Sequence, residues 1–274
     1  VKAYGNRNQR LYLSAETGIK RMIYIYRDRK LYETDSLLQA AGLAGWKHPV
    51  VSAVGAGGKT SLLRHLAAEY ADTGRGAVVT TTTHILRENL PWFLTAPSEE
   101  GVKERLKQWG QAWIGIPAAG ERLGSVPESF FSIIYSLGVP VLIEADGARM
   151  LPLKCPGSEE PVIPGETTHV LSVYGLDAVG QPIGEICFRP ELAINILNKK
   201  MAEPVTEEDI AVLAASDQAG RKGCPDHSVY QVVLNKTDNR ALREKALSIC
   251  RLLDKTGVCG TVVTGRESAE TGGI

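Results

Sequence analysis

Residues 48–63 read HPVVSAVGAGGKTSLL, and the fold follows from how that stretch divides. Val50, Val51, Ala53 and Val54 make a short apolar run, as a strand buried on both faces carries. Gly55, Gly57 and Gly58 follow within four residues, then Lys59, Thr60 and Ser61. Leu62, Leu63, Leu66, Ala67 and Tyr70 then recur at helical spacing. Strand, glycine turn, Lys-Thr and helix is the layout of a phosphate-binding loop. Glycines let backbone N–H groups converge on phosphate oxygens with no Cβ in the way, and the helix N-terminus adds partial positive charge. In that layout Lys59 meets the β- and γ-phosphates and Thr60 offers its hydroxyl to Mg²⁺. One position departs from the usual pattern: six residues before the lysine stands Ala53 rather than glycine. The competing view is a glycine-rich turn with an incidental lysine, and the flanking strand and helix weigh against it.

Outward from this stretch, strands and helices alternate. Residues 60–73 are expected as the helix after the turn, stopped by Gly74 and Gly76. Strands are expected over 77–83 (AVVTTTT), 92–95, 112–116, 139–143, 169–174, 230–234 and 260–264. Helices are expected over 36–43, 99–109, 127–137, 190–198, 206–216 and 239–253. Pro127 suits a helix start, and Thr206-Glu207-Glu208-Asp209 resembles a capping box with Asp in place of Glu. Residues 148–166 carry four prolines and read as irregular. The alternation predicts an α/β fold: a mainly parallel sheet with helices on both faces, binding ligands beyond the carboxyl ends of its strands. Residues 1–35 read as an N-terminal extension, a hairpin or a loose segment, and 36–274 as the nucleotide-binding domain. Met22 is a candidate natural start.

The 274 residues balance 31 Lys and Arg against 31 Asp and Glu, so no net field draws the chain to nucleic acid or acidic lipid. Cys155, Cys187, Cys224, Cys250 and Cys259 form no C-x-x-C, which argues against a zinc site or disulfide framework and fits a reducing cytoplasm. No apolar run approaches the ~18 residues that span a bilayer. The opening VKAYGNRNQR is polar, unlike a signal peptide. The expected setting is cytoplasmic, with no nucleic-acid or membrane partner.

Three further clusters sit just after predicted strands. Residues 139–149 (VPVLIEADGAR) end a strand in Glu144 and Asp146, where an acid holds Mg²⁺ or orients an attacking water. The alternative is a solvated acidic turn. Asn235-Lys236-Thr237-Asp238 follows YQVVL and matches the N-K-x-D motif of GTP-binding proteins. There the Asp238 carboxylate accepts guanine N1–H and N2–H₂, which adenine does not supply, while Asn235 and the stem of Lys236 support loop and base. GTP is therefore expected over ATP. Thr82, Thr83 and His84 are candidates to face the γ-phosphate or Mg²⁺, against the plain preference of Thr for strands. Arg149, Lys154 and Arg189 are candidate anion contacts, each otherwise a surface charge. His48, His65, His169 and His227 have no partner that spacing identifies. Cys155 reads as a small core or loop residue before a reactive thiol.

With these segments together, the chain resembles the YqeC family, described as selenium-dependent hydroxylase accessory proteins. The likeness rests on VVSAVGAGGKTSLL, VVTTTTHI, VLIEADGARMLPLKCPGSEEPVIP, VYGLDAVGQPIGE, FRPE and VVLNKTD, in that order. It implies a P-loop nucleotide-binding protein that helps mature a molybdenum hydroxylase carrying a labile selenium. The family carries over GAGGKTS as Gly55, Ala56, Gly57, Gly58, Lys59, Thr60 and Ser61, and EADG as residues 144–147. The N-K-x-D assignment stands on its own residues. Cys155 stands where the family's PLKAP-like run suggests alanine.

The leading expectation is a Mg²⁺-dependent NTPase, first a GTPase. Residues 55–61 cradle the phosphates, and Lys59 neutralises charge on the transferred group. Thr60 with Glu144 or Asp146 holds Mg²⁺, and Asp238 reads the base. Bound nucleotide would switch residues 83–90 and 146–154. Two other readings stay open. One is a phosphotransferase acting on a small selenium or molybdenum-cofactor species, with 148–166 as acceptor site. The other is a non-hydrolysing, nucleotide-gated module that binds the hydroxylase or its cofactor machinery.

Overall fold

The computed structural model describes residues 21–258 and 260–266. Residues 1–20 of the expected extension and the thiol of Cys259 lie outside them. In chain order, strands β1 (Arg21–Arg27) and β2 (Lys30–Thr34) lead into α1 (Leu37–Ala40), β3 (Val50–Gly55) and α2 (Lys59–Asp72). Next come β4 (Ala77–Thr81), β5 (His84–Leu86), β6 (Phe93–Leu94), α3 (Glu99–Trp109), β7 (Gln111–Ile114), β8 (Ile116–Ala118) and β9 (Arg122–Gly124). Then follow α4 (Glu128–Ser136), β10 (Val141–Glu144), β11 (Leu153–Lys154), β12 (His169–Gly175), α5 (Ile183–Ile186), β13 (Cys187–Phe188) and α6 (Pro190–Leu197). Finally there are α7 (Glu207–Ala215), β14 (Val229–Asn235), α8 (Arg240–Leu253) and β15 (Thr261–Arg266).

Ten strands form one sheet in the order β2-β1-β15-β14-β12-β3-β10-β4-β7-β6. Every pairing from β15 to β6 is parallel, as helical crossovers require. The alternation of side chains along a strand sorts the core into layers. Val51 and Ala53 of β3 face α1 and α2 with Leu37, Leu63 and Leu66. Val50 and Val54 face α3 and α4 with Val102, Leu106 and Ile134. On β14, Val232 and Leu234 pack with Ile210 and Leu213 of α7 and Ile249 of α8. The α/β sheet covered on both faces is thus present. Thr206 caps α7 through the expected box, accepting the Asp209 N–H at 3.2 Å while Asp209 accepts its own.

Three features depart from expectation. The N-terminal hairpin is not set apart from the rest: β1 pairs antiparallel with β15, from Arg21↔Arg266 to Ile25↔Val262. Residues 82–124 also contain a second, three-stranded sheet, β5-β9-β8, whose strands are too short to leave a periodic signal. The proline-rich stretch 148–166 is anchored through β11, which pairs in parallel with β13. Among the described residues no helix is long and apolar enough to cross a membrane, and Cys155, Cys187, Cys224 and Cys250 are free thiols.

Candidate functional site

The strand order aligns the carboxyl ends of β14, β12, β3, β10 and β4, so Asn235, Gly175, Gly55, Glu144 and Thr81 stand along one sheet edge. This is where an open parallel sheet offers a crevice. Gly57 and Gly58 turn the chain from β3 into α2 with φ of 84° and 124°. At Gly57 a Cβ would stand 2.2 Å from Gly175 N and 2.5 Å from Gly175 Cα. At Gly58 it would meet Asn235 Nδ2 at 2.3 Å. At Gly57 glycine is required by close backbone approach as well as by φ, whereas at Gly58 the neighbour is the end of a side chain and φ makes the demand.

The loop amides are already engaged, against the expectation that they stand open to phosphate. Gly55 N–H donates to Asp146 Oδ2 (3.0 Å), Ala56 N–H to Val173 O (2.8 Å) and Gly57 N–H to Leu151 O (3.2 Å). The first turn of α2 is different. Lys59, Thr60 and Ser61 lie where a helix has no internal acceptor for its N–H groups.

Behind the loop sits a buried charged cluster. Lys59 Nζ donates to Gly55 O (2.6 Å) and lies 3.0 Å from Asp146 Oδ1 and 3.9 Å from Glu144 Oε1. The Asp146 contact is an ion pair lacking the angle of a hydrogen bond. Thr60 Oγ1 donates to Glu144 Oε2 at 2.6 Å. Burial pushes the Glu144 carboxyl above its usual range, opposed by Lys59 and the Thr60 hydroxyl. Lys59, Thr60, Glu144 and Asp146 are therefore brought together.

Lys154 is not a surface charge. Its side chain is fully enclosed, with Nζ 3.0 Å from Asp146 Oδ2, 2.5 Å from Glu160 Oε2 and 2.6 Å from Gly147 O. Arg189 completes the chain, its Nη1 2.7 Å from Glu160 Oε2. Burial acts to raise the Glu160 carboxyl, yet hydrogen bonds from Arg189 and Lys154 outweigh it and hold it at about 2. Arg149 and Arg189 both lie over the Phe188 ring, 4.9 and 4.3 Å from its centroid. The three candidate anion contacts thus gather around one aromatic ring, and two of them, Lys154 and Arg189, also share Glu160.

The late tetrapeptide reaches the loop through Asn235. Its Nδ2 donates to Gly57 O at 2.7 Å, and its Oδ1 accepts from Thr264 Oγ1 at 2.8 Å. Asp238 Oδ1 accepts the Arg266 N–H at 2.7 Å. Lys236 Nζ pairs with Asp177 Oδ2 at 2.6 Å, and its φ of 63° turns the backbone there. Between these residues and α2 opens a cavity of about 240 Å³. Gly58, Ser61, Asn235, Lys236 and Asp238 line it.

The threonine run serves the scaffold. Thr80, Thr81 and Thr82 donate their hydroxyls to Ile114 O, Glu144 O and Val162 O. Thr83 N–H donates to Thr81 Oγ1, and His84 is exposed on β5. Cys155 is buried in the core beside Leu153 and Tyr174, and burial pushes its thiol up to about 11. Glu160 and Arg21 were missed by sequence reasoning. Glu160 lay in a proline-rich stretch with no periodicity, and Arg21 reaches the cavity only through strand pairing.

A family model described as YqeC protein matches residues 51–191, half of the chain. The chain belongs to the YqeC family. It is also similar to the uncharacterized protein YqeC of Escherichia coli (strain K12), 35% identical over 149 residues. That match takes in 52% of this chain and 57% of the relative, so the chain spans less than two thirds of the relative's length. The YqeC match contains the glycine loop, Glu144, Asp146, Lys154, Glu160 and Arg189. Asn235, Asp238 and the hairpin lie beyond it.

Proposed function

We propose that this chain is a P-loop-type, Mg²⁺-dependent NTPase that prefers GTP over ATP. We place it in the cytoplasm as an accessory factor in maturing a selenium-dependent molybdenum hydroxylase, with that client or its cofactor machinery as partner. The observation that carries the nucleotide reading is the bond from Asn235 Nδ2 to Gly57 O, which ties a base-reading tetrapeptide to a lysine-bearing glycine loop. The accessory role rests on the family resemblance alone.

The donor set suits the metal. Thr60 supplies a hydroxyl and Glu144 and Asp146 supply carboxylates, all hard oxygens, and one Asp146 oxygen is buried without a hydrogen bond. Mg²⁺ takes one or two carboxylates and completes its shell with water and phosphate oxygens. When bound, the ion would neutralise charge on the β- and γ-phosphate oxygens. Lys59 would exchange Gly55 O for a phosphate oxygen and stabilise the charge that develops on the transferred group. Lys154 would keep Asp146 compensated as Lys59 leaves it. The N–H groups of Lys59, Thr60 and Ser61 would receive phosphate at the positive end of α2.

Because Gly57 N–H is held by Leu151 O, full engagement of the triphosphate displaces the 148–152 segment. Nucleotide-free and nucleotide-bound states then differ beside Asp146, as a switch requires. Titration of GTP and ATP, with and without Mg²⁺, tests the assignment. Lys59→Ala should lower affinity for both at least about tenfold, the value of one lost charged contact. Asp238→Ala should lower GTP affinity alone. Unchanged binding in Lys59→Ala removes the phosphate-loop assignment, and stronger ATP than GTP binding by the wild type removes the base assignment. A non-hydrolysing, nucleotide-gated module is the second reading, favoured by the amides that are satisfied without ligand.

A further inference from the structure

The cavity beside Asp238 has a wall that no nucleotide motif accounts for. Arg21, Met22 and Ile23 of the N-terminal hairpin line it, facing His65 of α2 and Arg266 of β15. Arg21 and Arg266 are direct cross-strand partners, and like charges in that position are destabilising. Among the described residues neither guanidinium forms an ion pair with a carboxylate; Arg21 Nη1 reaches only Ser61 O, at 3.4 Å. Burial holds His65 down at about 4, so it is neutral at physiological pH and adds no third cation. Met22, Ile23, Leu37 and Leu62 offer apolar contact for a ring.

We infer that Arg21 and Arg266 read the O6/N7 edge of a guanine whose N1/N2 edge is taken by Asp238, which makes the hairpin part of the nucleotide site. The inference rests on the nucleotide reading above and deepens it. Of the polar groups nearby, Asn235 is bonded to Gly57 and Thr264, Lys236 pairs with Asp177, and Asp238 Oδ1 accepts the Arg266 N–H at 2.7 Å, which sets its carboxylate beside that arginine. Arginine only donates and an ionised carboxylate only accepts. Guanine presents acceptors at O6 and N7 beside donors at N1 and N2, which complements both walls at once. Adenine sets its N6 donor against the arginines and offers Asp238 no N–H from N1.

The test is calorimetric titration of the full chain, with Mg²⁺, using GTP, ATP and tripolyphosphate. The proteins are wild type, Arg21→Gln and Arg266→Gln. Each variant should lose about tenfold in GTP affinity, the size of one arginine–guanine pair, while ATP and tripolyphosphate change less than about twofold. Should Arg21→Gln fail to fold, Arg21→Lys keeps the charge without the planar fork and should show the same selective loss. A parallel fall for all three ligands overturns the inference, since the arginines would then attract phosphate. So does unchanged GTP binding. A wild type that binds tripolyphosphate but takes GTP no better than ATP overturns it and leaves the phosphate loop standing. Failure to bind any of the three defeats both.

Discussion

The two loop glycines make different contacts, so replacing each with alanine should have separable effects. At Gly57 an added Cβ would lie 2.2 Å from Gly175 N, 2.5 Å from Gly175 Cα and 3.0 Å from Pro152 O. All three atoms are backbone, belonging to the end of β12 and to the segment after Asp146, so neither neighbour has a rotamer to turn. Holding alanine at φ 84° adds about 1–2 kcal/mol. Overpacking against fixed neighbours adds about 1–3 kcal/mol. The sum for Gly57→Ala is about 2–5 kcal/mol, a fall in Tm of about 5–20 °C for a chain of this size. At Gly58 the obstacle is Asn235 Nδ2, the end of a side chain, which can swing aside. That movement forfeits the bond to Gly57 O, worth about 1 kcal/mol, in addition to the φ strain. Gly58→Ala should therefore melt closer to wild type and, on the nucleotide reading proposed above, lose the preference for GTP, because Asn235 is uncoupled from the loop. Thermal unfolding without ligand, followed by GTP and ATP titration, measures both. A Gly57→Ala protein melting within about 2 °C of wild type, or a Gly58→Ala protein melting below the Gly57→Ala protein, refutes the packing argument.

Two further outcomes follow from buried charge. Lys154→Met leaves Asp146 and Glu160 with one cation each, and the loss of one member of a buried ionic cluster should cost about 3 kcal/mol and lower Tm by roughly 6–12 °C; an unchanged melt would mean that water already screens the cluster. His169 is enclosed, accepts or donates at Thr168 Oγ1 and meets Trp46 edge-on, and burial holds it down at about 4. Between its unfolded value near 6.5 and about 4 the unfolded chain takes up a proton that the folded chain refuses, so stability falls as pH falls through that window. The contribution is at most about 3 kcal/mol, and denaturant titrations at pH 7 and pH 5 should lose much of this difference in His169→Gln.

The strands of the central sheet were legible because β-branched, apolar runs such as VVSAV and YQVVL sit between glycine and proline signals. Their spatial order was not, since crossovers are invisible to periodicity; that β12 rather than β4 flanks β3 on one side emerges only from pairing. The meeting of Lys59 and Thr60 with Glu144 and Asp146 followed from strand-end placement in an α/β sheet. What occupies the amides of Ala56 and Gly57 was out of reach, because their acceptors are backbone carbonyls of Val173 and Leu151, which carry no residue-type signal. Lys154 was legible as a candidate anion contact or a surface charge, but not that Glu160 and Asp146 enclose it. Lys236 fits its motif by type, but its partner Asp177 belongs to no motif and could not be named from the sequence.

The pairing of β1 with β15 sets an order on biosynthesis. The hairpin leaves the ribosome before every other described element, yet the strand it docks on is made last among them. A lone two-stranded ribbon is marginal in water, so during translation this segment waits unpaired while the parallel strands assemble. Ribosomes stalled just short of residue 261 should therefore carry a nascent chain whose hairpin remains open to protease, and its protection should arrive only with the final strand.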